Sequence, residues 1–200
     1  MNPRNSVRKI FGIYEHELNG WLETTLLHVN RVVDVGANDG YFTFGCAAAF
    51  MRLRKRGEIV AFEPEDREFR KLEQSLKWQP RSSIHISLMR SFAGRKTTQT
   101  TTILDAVRWN DEDSMNRTNT LVKIDVEGAE EEVLAGGVSW LNATNRFLIE
   151  VHQTEFLKTI PRLFEQRGLI LDRIDQRPLF GVGREMRTPN NWWLVSRETV

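Results

Sequence analysis

The stretch VVDVGANDGYFTF, residues 32–44, decides the fold. An apolar run of strand character ends in two glycines, an asparagine and two carboxylates, and an Ala-rich helical segment follows. Strand, sharp turn and helix in that order open a unit in which parallel strands alternate with helices and ligands gather at the carboxyl ends of the strands. Gly36 and Gly40 permit backbone angles and close approaches that a side chain would block, and Asn38 between them tolerates left-handed angles.

The loop reads G-x-N-x-G, not the G-x-G-x-x-G of dinucleotide folds. A pyrophosphate over the helix N-terminus would be repelled by Asp34 and Asp39, which flank the loop, so a cationic ligand suits it better. Glu63 closes the next strand, 58–64, 23 residues beyond Gly40, where nucleoside-binding sheets place a carboxylate that accepts both ribose hydroxyls. S-adenosylmethionine answers both observations, with a ribose for Glu63 and an ammonium and sulfonium for the acidic loop. Other readings stand beside it: an N-cap, a turn and a surface acid in some other α/β protein, an NAD-dependent oxidoreductase, or a non-catalytic Rossmann-like binding module. The missing third glycine and the acidic loop count against NAD.

Outward from this stretch, 200 residues at 40% hydrophobic and 28% charged suit one compact domain. A formal net charge of +1 gives no global field for nucleic acid or an anionic membrane, so neither is expected as a partner. Cys46 is the single cysteine, which excludes a disulfide framework and a Cys-rich zinc site and fits a reducing compartment. No run of 18 apolar residues occurs, so no membrane span is expected, and the reading is a soluble, cytoplasmic protein. The sequons at Asn116 and Asn142 are then incidental.

Residues 1–29 read as a leading helical segment and a candidate lid, with Leu18, Trp21, Leu22, Leu26 and Leu27 at helical spacings over 14–28. Residues 30–200 read as the domain proper. Strands are expected at 31–35, 58–64, 83–89, 120–126, 146–152, 169–175 and 192–197. Helices are expected at 41–55, 66–78, 129–136 and 154–167, the last despite Pro161, and polar loops at 106–119 and 176–190. The basic run 52–56 reads as a solvated helix end, and Trp192 and Trp193 as core. Arg184 and Arg187, in the second loop, are candidates to meet an anionic substrate.

A second acidic cluster lies in LVKIDVEGAE, residues 121–130. Alternation puts Lys123, Asp125 and Glu127 on one side of a strand and its exit, where so many charges need partners or a ligand. In a purely structural reading Lys123 pairs with a neighbouring carboxylate and Glu127 caps the following helix. One strand later, Glu150 and His152 share a face at the carboxyl end. His152 is the candidate general base, with Asp125 or Glu150 to orient it. Asp125, Glu150 and His152 carry donors that suit a divalent ion, but no metal is expected, since polar groups at strand ends are common without one.

In VVDVGANDGYFTF, AFEPEDREFRKLEQSL, TTILDAV, LVKIDVEGAEEEVLAG and RFLIEVHQ, in this order, the chain resembles the FkbM family of S-adenosylmethionine-dependent methyltransferases. The resemblance runs from about residue 30 to residue 153, with KIDVEGAE its most specific motif. It implies the α/β, Rossmann-like class I methyltransferase fold, a mostly parallel seven-stranded sheet with helices on both faces. It also implies O-methylation of a hydroxyl on a small natural product or saccharide. Carried over by position, Asp34, Gly36, Asn38 and Gly40 line the methionine end of S-adenosylmethionine and Glu63 its ribose; Asp39 and Asp125 are further cofactor-binding candidates, and Arg90 and Ser91 fall at the adenine position. Two departures stand out: Asp39 occupies a position where the family often has a neutral residue, and LMRSFAG before Gly94 lacks a carboxylate for the adenine amine.

Overall fold

A computed structural model describes residues 15–80, 83–110, 113–175 and 192–197. Helix α1 (Asn19–His28) precedes β1 (Arg31–Val35), and α2 (Tyr41–Arg52), β2 (Gly57–Phe62), α3 (Asp66–Lys77) and β3 (Ile84–Met89) follow in strict alternation. Two short strands come next, β4 (Phe92–Ala93) and β5 (Thr101–Thr102), then β6 (Thr120–Ile124), α4 (Glu130–Ala135), β7 (Arg146–Val151), α5 (Phe156–Glu165), β8 (Leu171–Ile174) and β9 (Trp192–Ser196). The main sheet has seven strands in the order β3-β2-β1-β6-β7-β9-β8. Every pairing in it is parallel except those of β9, which runs antiparallel to both β7 and β8.

The central strands are hydrophobic on both faces because helices cover both. One face carries Val33, Val35, Val60, Phe62, Val122, Ile124, Phe147 and Ile149 against Val133 and Leu134 of α4, Ile160 and Phe164 of α5, and Trp140. Phe147 and Phe164 meet edge to face at 4.8 Å. The other face carries Val32, Ile59, Leu121 and Leu148 against Cys46, Ala47 and Phe50 of α2, with Leu18 and Leu26 of the leading segment. Burial, with Asp34 adding to it, pushes the Cys46 thiol far up and keeps it inert.

The expected strands and helices all form within the described residues, usually a residue or two shorter than the apolar pattern suggests. Helix α5 runs through Pro161, which withholds one backbone donor while Ile160 and Phe164 anchor the buried side. The pair β4 and β5 was not expected: at two residues each, neither carries a readable period. Expected loop 106–119 includes buried Trp109, whose indole donates to the Asn116 carbonyl at 2.7 Å. Loop 176–190, with Arg184 and Arg187, lies outside the described residues.

The leading segment, read as a candidate lid, is packed into the core where it is described. Leu18 and Leu26 are buried, and the Trp21 indole donates to the Ser196 carbonyl at 3.0 Å. The Lys55 ammonium donates to the carbonyls of Leu26 at 2.9 Å, Leu27 at 3.0 Å and Val29, holding the end of α1 against the turn after α2. Opening it as a lid would expose that apolar surface. Among the described residues no helix is long and apolar enough to cross a membrane. Lys55→Met strips a charged donor from those carbonyls and should lower the unfolding free energy by roughly 1–3 kcal/mol. Urea titration followed by circular dichroism checks this, and an unchanged midpoint would show that α1 is held by its apolar contacts alone.

Candidate active site

The glycine loop leaves β1 at its carboxyl end, between β2 and β6. Gly36 takes φ +80, and a Cβ there would run into the backbone carbonyl of Asp125 just beyond β6, so the close approach of these two strand ends requires glycine. The Gly36 and Ala37 amides donate to the Phe62 carbonyl at 3.0 and 2.9 Å, which fastens the loop to β2. Asn38 is left-handed at φ 52, and its side chain accepts from the Asp39 amide at 2.8 Å. Asp39 in turn accepts from the Tyr41 amide at 3.3 Å, at the first turn of α2, and Gly40 caps that helix at φ +88.

Asp34 sits beneath the loop rather than in it. Its carboxylate is fully buried, accepts from the Thr43 hydroxyl at 2.5 Å and lies 3.1 Å from the Lys123 ammonium. The register pairs Asp34 with Lys123 across β1 and β6, so both point to one face. Lys123 also donates to the Gly36 carbonyl at 2.8 Å and reaches Asp125 at 3.3 Å. Burial pulls the lysine pKa down, but the fields of Asp34 and Asp125 overcome it and hold the group well above the ordinary lysine value. The negative charge that the sequence placed at Asp34 is therefore met inside the protein, and Asp34 shapes the loop from below.

Glu63, just beyond β2, is buried, and its two oxygens accept backbone N–H bonds from Asn38 at 2.7 Å and Glu65 at 2.8 Å. Burial pushes its carboxyl above the ordinary range; the two amides oppose this, and Glu68 and Glu65 add to it. Each oxygen keeps a second lone pair. A desolvated carboxylate with spare acceptor capacity at this strand end suits a ligand carrying two hydroxyls. The Ser91 hydroxyl lies 2.9 and 3.1 Å from the Phe92 and Thr100 carbonyls, with one proton to donate between them, and meets the Thr102 hydroxyl at 2.9 Å. Arg90 pairs with Asp66 at 2.5 Å on the surface.

The second cluster forms where β6 and β7 end. Gly128, at φ +79, has the Gln153 side chain so close that a Cβ would lie 2.7 Å from it, so the chain beyond β6 folds down onto the chain beyond β7. Asp125 and His152 thereby approach to 3.8 Å at the imidazole Nε2. The other ring nitrogen, Nδ1, is 2.7 Å from Glu130 at the start of α4, a fully buried carboxylate. Burial pulls the His152 pKa down, but the Glu130 hydrogen bond and the fields of Glu150, Asp125 and Glu130 raise it above the ordinary histidine value overall. Donor atoms of Asp125, Glu150 and His152 lie within 4.8 Å of one another, a spacing that a divalent cation could also bridge.

Sequence reasoning expected Asp125 or Glu150 to orient the histidine; the structure gives that hydrogen bond to Glu130. An acid in the first turn of a helix reads as ordinary dipole compensation, so nothing in the local pattern singled out Glu130. Glu127 does not cap α4: it is exposed, and the cap position is Ala129, without a side-chain bond.

Sheet order and helix arrangement define the class I methyltransferase fold. Within it, residues 77–171 match the family model for the methyltransferase FkbM domain, a stretch that contains Asp125, Glu130, Glu150 and His152. Among solved structures, the chain is similar to a methyltransferase FkbM from Methylobacillus flagellatus, with a TM-score of 0.66 and 15% identity over 85% of this chain. This chain spans 44% of that protein's length. It is also similar to a precorrin-6y C5,15-methyltransferase from Geobacter metallireducens, with a TM-score of 0.55 and 11% identity over 92% of this chain and 88% of the other. An S-adenosylmethionine-dependent methyltransferase from Mesorhizobium loti matches with a TM-score of 0.53 and 10% identity over 91% and 98% of the two chains. No curated protein sequence matches the chain.

Because the folded-state pKa of His152 is raised, its ion pair with Glu130 contributes stability that is fully present below the unfolded value of about 6.5 and lost as pH rises through the folded value. Urea midpoints should therefore fall between pH 6 and pH 9, and His152→Gln should flatten that part of the profile. An equal slope in the variant would place the titration elsewhere. Lys123→Met leaves Asp34 and Asp125 without their cation and should cost about 3–5 kcal/mol of stability by the same measurement.

Proposed function

We propose that this protein transfers a methyl group from S-adenosylmethionine to a hydroxyl of a small natural product or saccharide. The observation that carries the reading is the meeting, at one end of the sheet, of a buried ribose-type acceptor at Glu63, an acidic loop exit at Asp125 and an imidazole held by Glu130. The loop 36–40 and Asp125 would hold the methionine end of the cofactor and Glu63 the ribose hydroxyls. Asp34 and Lys123 act below, keeping the loop in shape.

The donor brings its own leaving group, so the protein needs only to align the acceptor oxygen with the methyl and to take up a proton. His152 is the residue we assign to that proton. With Nδ1 on Glu130, its Nε2 faces the Asp125 side of the site. No Lewis acid is needed for such a step, and we assign Asp125, Glu150 and His152 to charge and proton chemistry rather than to a metal. A cytoplasmic setting is in keeping with the single, buried Cys46.

Removing the Glu63 carboxylate should weaken S-adenosylmethionine binding by tenfold or more in calorimetric titration of Glu63→Ala, with circular dichroism unchanged. Unaltered affinity would take Glu63 out of the site, and tight NADH binding in place of S-adenosylmethionine would favour an oxidoreductase. His152→Ala should lower turnover about 10²- to 10⁴-fold, whereas a loss below tenfold would reduce the histidine to packing. Cofactor affinity of that variant should match the parent protein at high pH, where the parent's imidazole is neutral. Turnover should survive dialysis against EDTA; its loss and recovery on adding a divalent ion would assign the cluster to a metal instead.

A further inference from the structure

The first turn of α4 carries three acids in a row, Glu130, Glu131 and Glu132. Glu131 accepts from the Thr159 hydroxyl of α5, and Glu132 pairs with Arg95 at 2.8 Å on the surface. Either serves the helix dipole without being buried in the core. Glu130 instead turns inward and is fully buried. Its Oε1 lies 2.7 Å from Nδ1 of His152, and its Oε2 has no hydrogen-bond partner among the described residues. A carboxylate buried for structure alone is ordinarily held by several donors, because an unsatisfied oxygen costs the free energy of its lost hydration. An apolar side chain of similar size would fill the space at less cost. Among the described residues, the side-chain hydrogen bonding of Glu130 is therefore spent on one imidazole, whose other nitrogen faces the loop exit at Asp125.

Resting on the methyltransferase reading above, we propose that Glu130 is the positioning residue of the transfer: it fixes the proton of the neutral His152 ring on Nδ1 and so keeps the lone pair of Nε2 turned toward the acceptor hydroxyl. An ionised carboxylate has no hydrogen to give, so the bond to Glu130 requires an N–H on Nδ1. A neutral imidazole carries one N–H, and Nε2 is then the acceptor. Without Glu130 the ring is free to place its hydrogen on Nε2, where the base must be bare. Asp125, at 3.8 Å from Nε2, lies beyond hydrogen-bond distance, and Glu150 of β7 acts on the ring through its field. In the transfer the acceptor oxygen bonds to the methyl carbon, and the carbon–sulfur bond breaks with its electron pair going to sulfur. The hydroxyl proton passes to Nε2, while the Nδ1 proton stays in its bond to Glu130. The ring becomes an imidazolium, and the carboxylate already beside Nδ1 stabilises that charge as it forms.

The first test needs no acceptor. The whole chain is labelled with isotopic histidine, and the ring nitrogens are read by long-range proton–nitrogen NMR above the His152 titration midpoint. His152→Gln identifies which of the four histidine rings is the one in question. In the parent, Nδ1 should give the signal of a protonated nitrogen and Nε2 that of a bare one. Glu130→Leu, which removes the acceptor, should let the proton appear on Nε2. Glu130→Gln, which keeps the shape and removes the charge, should lower the His152 midpoint and leave the urea midpoint at high pH at or above the parent's. A carboxylate needed for packing alone predicts neither change. By calorimetry, S-adenosylmethionine affinity of Glu130→Gln should stay within about twofold of the parent. On the acceptor used for the His152→Ala measurement, Glu130→Gln should lower kcat by about tenfold or more at unchanged KM. Combined with His152→Ala, it should add no further loss. A bare Nδ1 in the parent, a proton that stays wholly on Nδ1 in Glu130→Leu, or additive losses in kcat each overturn the assignment while leaving the methyltransferase reading intact. If Glu130→Leu does not fold, the parent spectrum and the Glu130→Gln titration decide the matter. Failure of the parent to bind S-adenosylmethionine overturns the reading and the assignment together.

Discussion

A single buried ammonium group organises the carboxyl ends of the central strands. Lys123 on β6 is bound at once to Asp34 on β1, to the Gly36 carbonyl in the glycine loop and to Asp125 just beyond its own strand. Burying a lysine or an aspartate alone would be strongly unfavourable, and each is tolerated here because the other is present. The consequence is geometric. Lys123 ties the loop that follows β1 to the segment that follows β6, so the two halves of the doubly wound sheet are joined at their carboxyl ends.

From that junction the rest of the site follows by close approach. Gly36 admits the Asp125 carbonyl where a larger residue would clash with backbone, and Gly128, at φ +79, turns the chain beyond β6 beside the Gln153 side chain. Among the described residues, against the pull of burial, the hydrogen bond to Glu130 and the fields of Glu150, Asp125 and Glu130 raise the histidine pKa.

Much of this could be read along the chain. Strands buried on both faces show as continuous apolar runs, and β1, β2, β6 and β7 were legible for that reason; α3 was legible because its apolar side repeats at helical spacing. The short β4 and β5 were not, because two residues hold no period. At the site, Gly36, Asn38, Gly40 and Glu63 stand at loop and strand ends that the pattern marks, so their placement was foreseeable. Ser91 was placed by position alone, and its hydroxyl is engaged by the β4–β5 segment that the pattern did not reveal.

The sequence by itself determined the alternation of strands and helices, the end of the sheet at which the polar residues gather, and the kinds of side chain available there. Period and residue type are local properties, and they survive in one dimension. Which carboxylate holds His152, and which charge neutralises Asp34, only the tertiary structure decided. Glu130 and His152 are 22 residues apart and Asp34 and Lys123 lie on different strands, so both partnerships depend on parallel register and on loops folding over one another. Coulomb interactions and hydrogen bonds depend on distance in space, and that distance is fixed only when the sheet has closed.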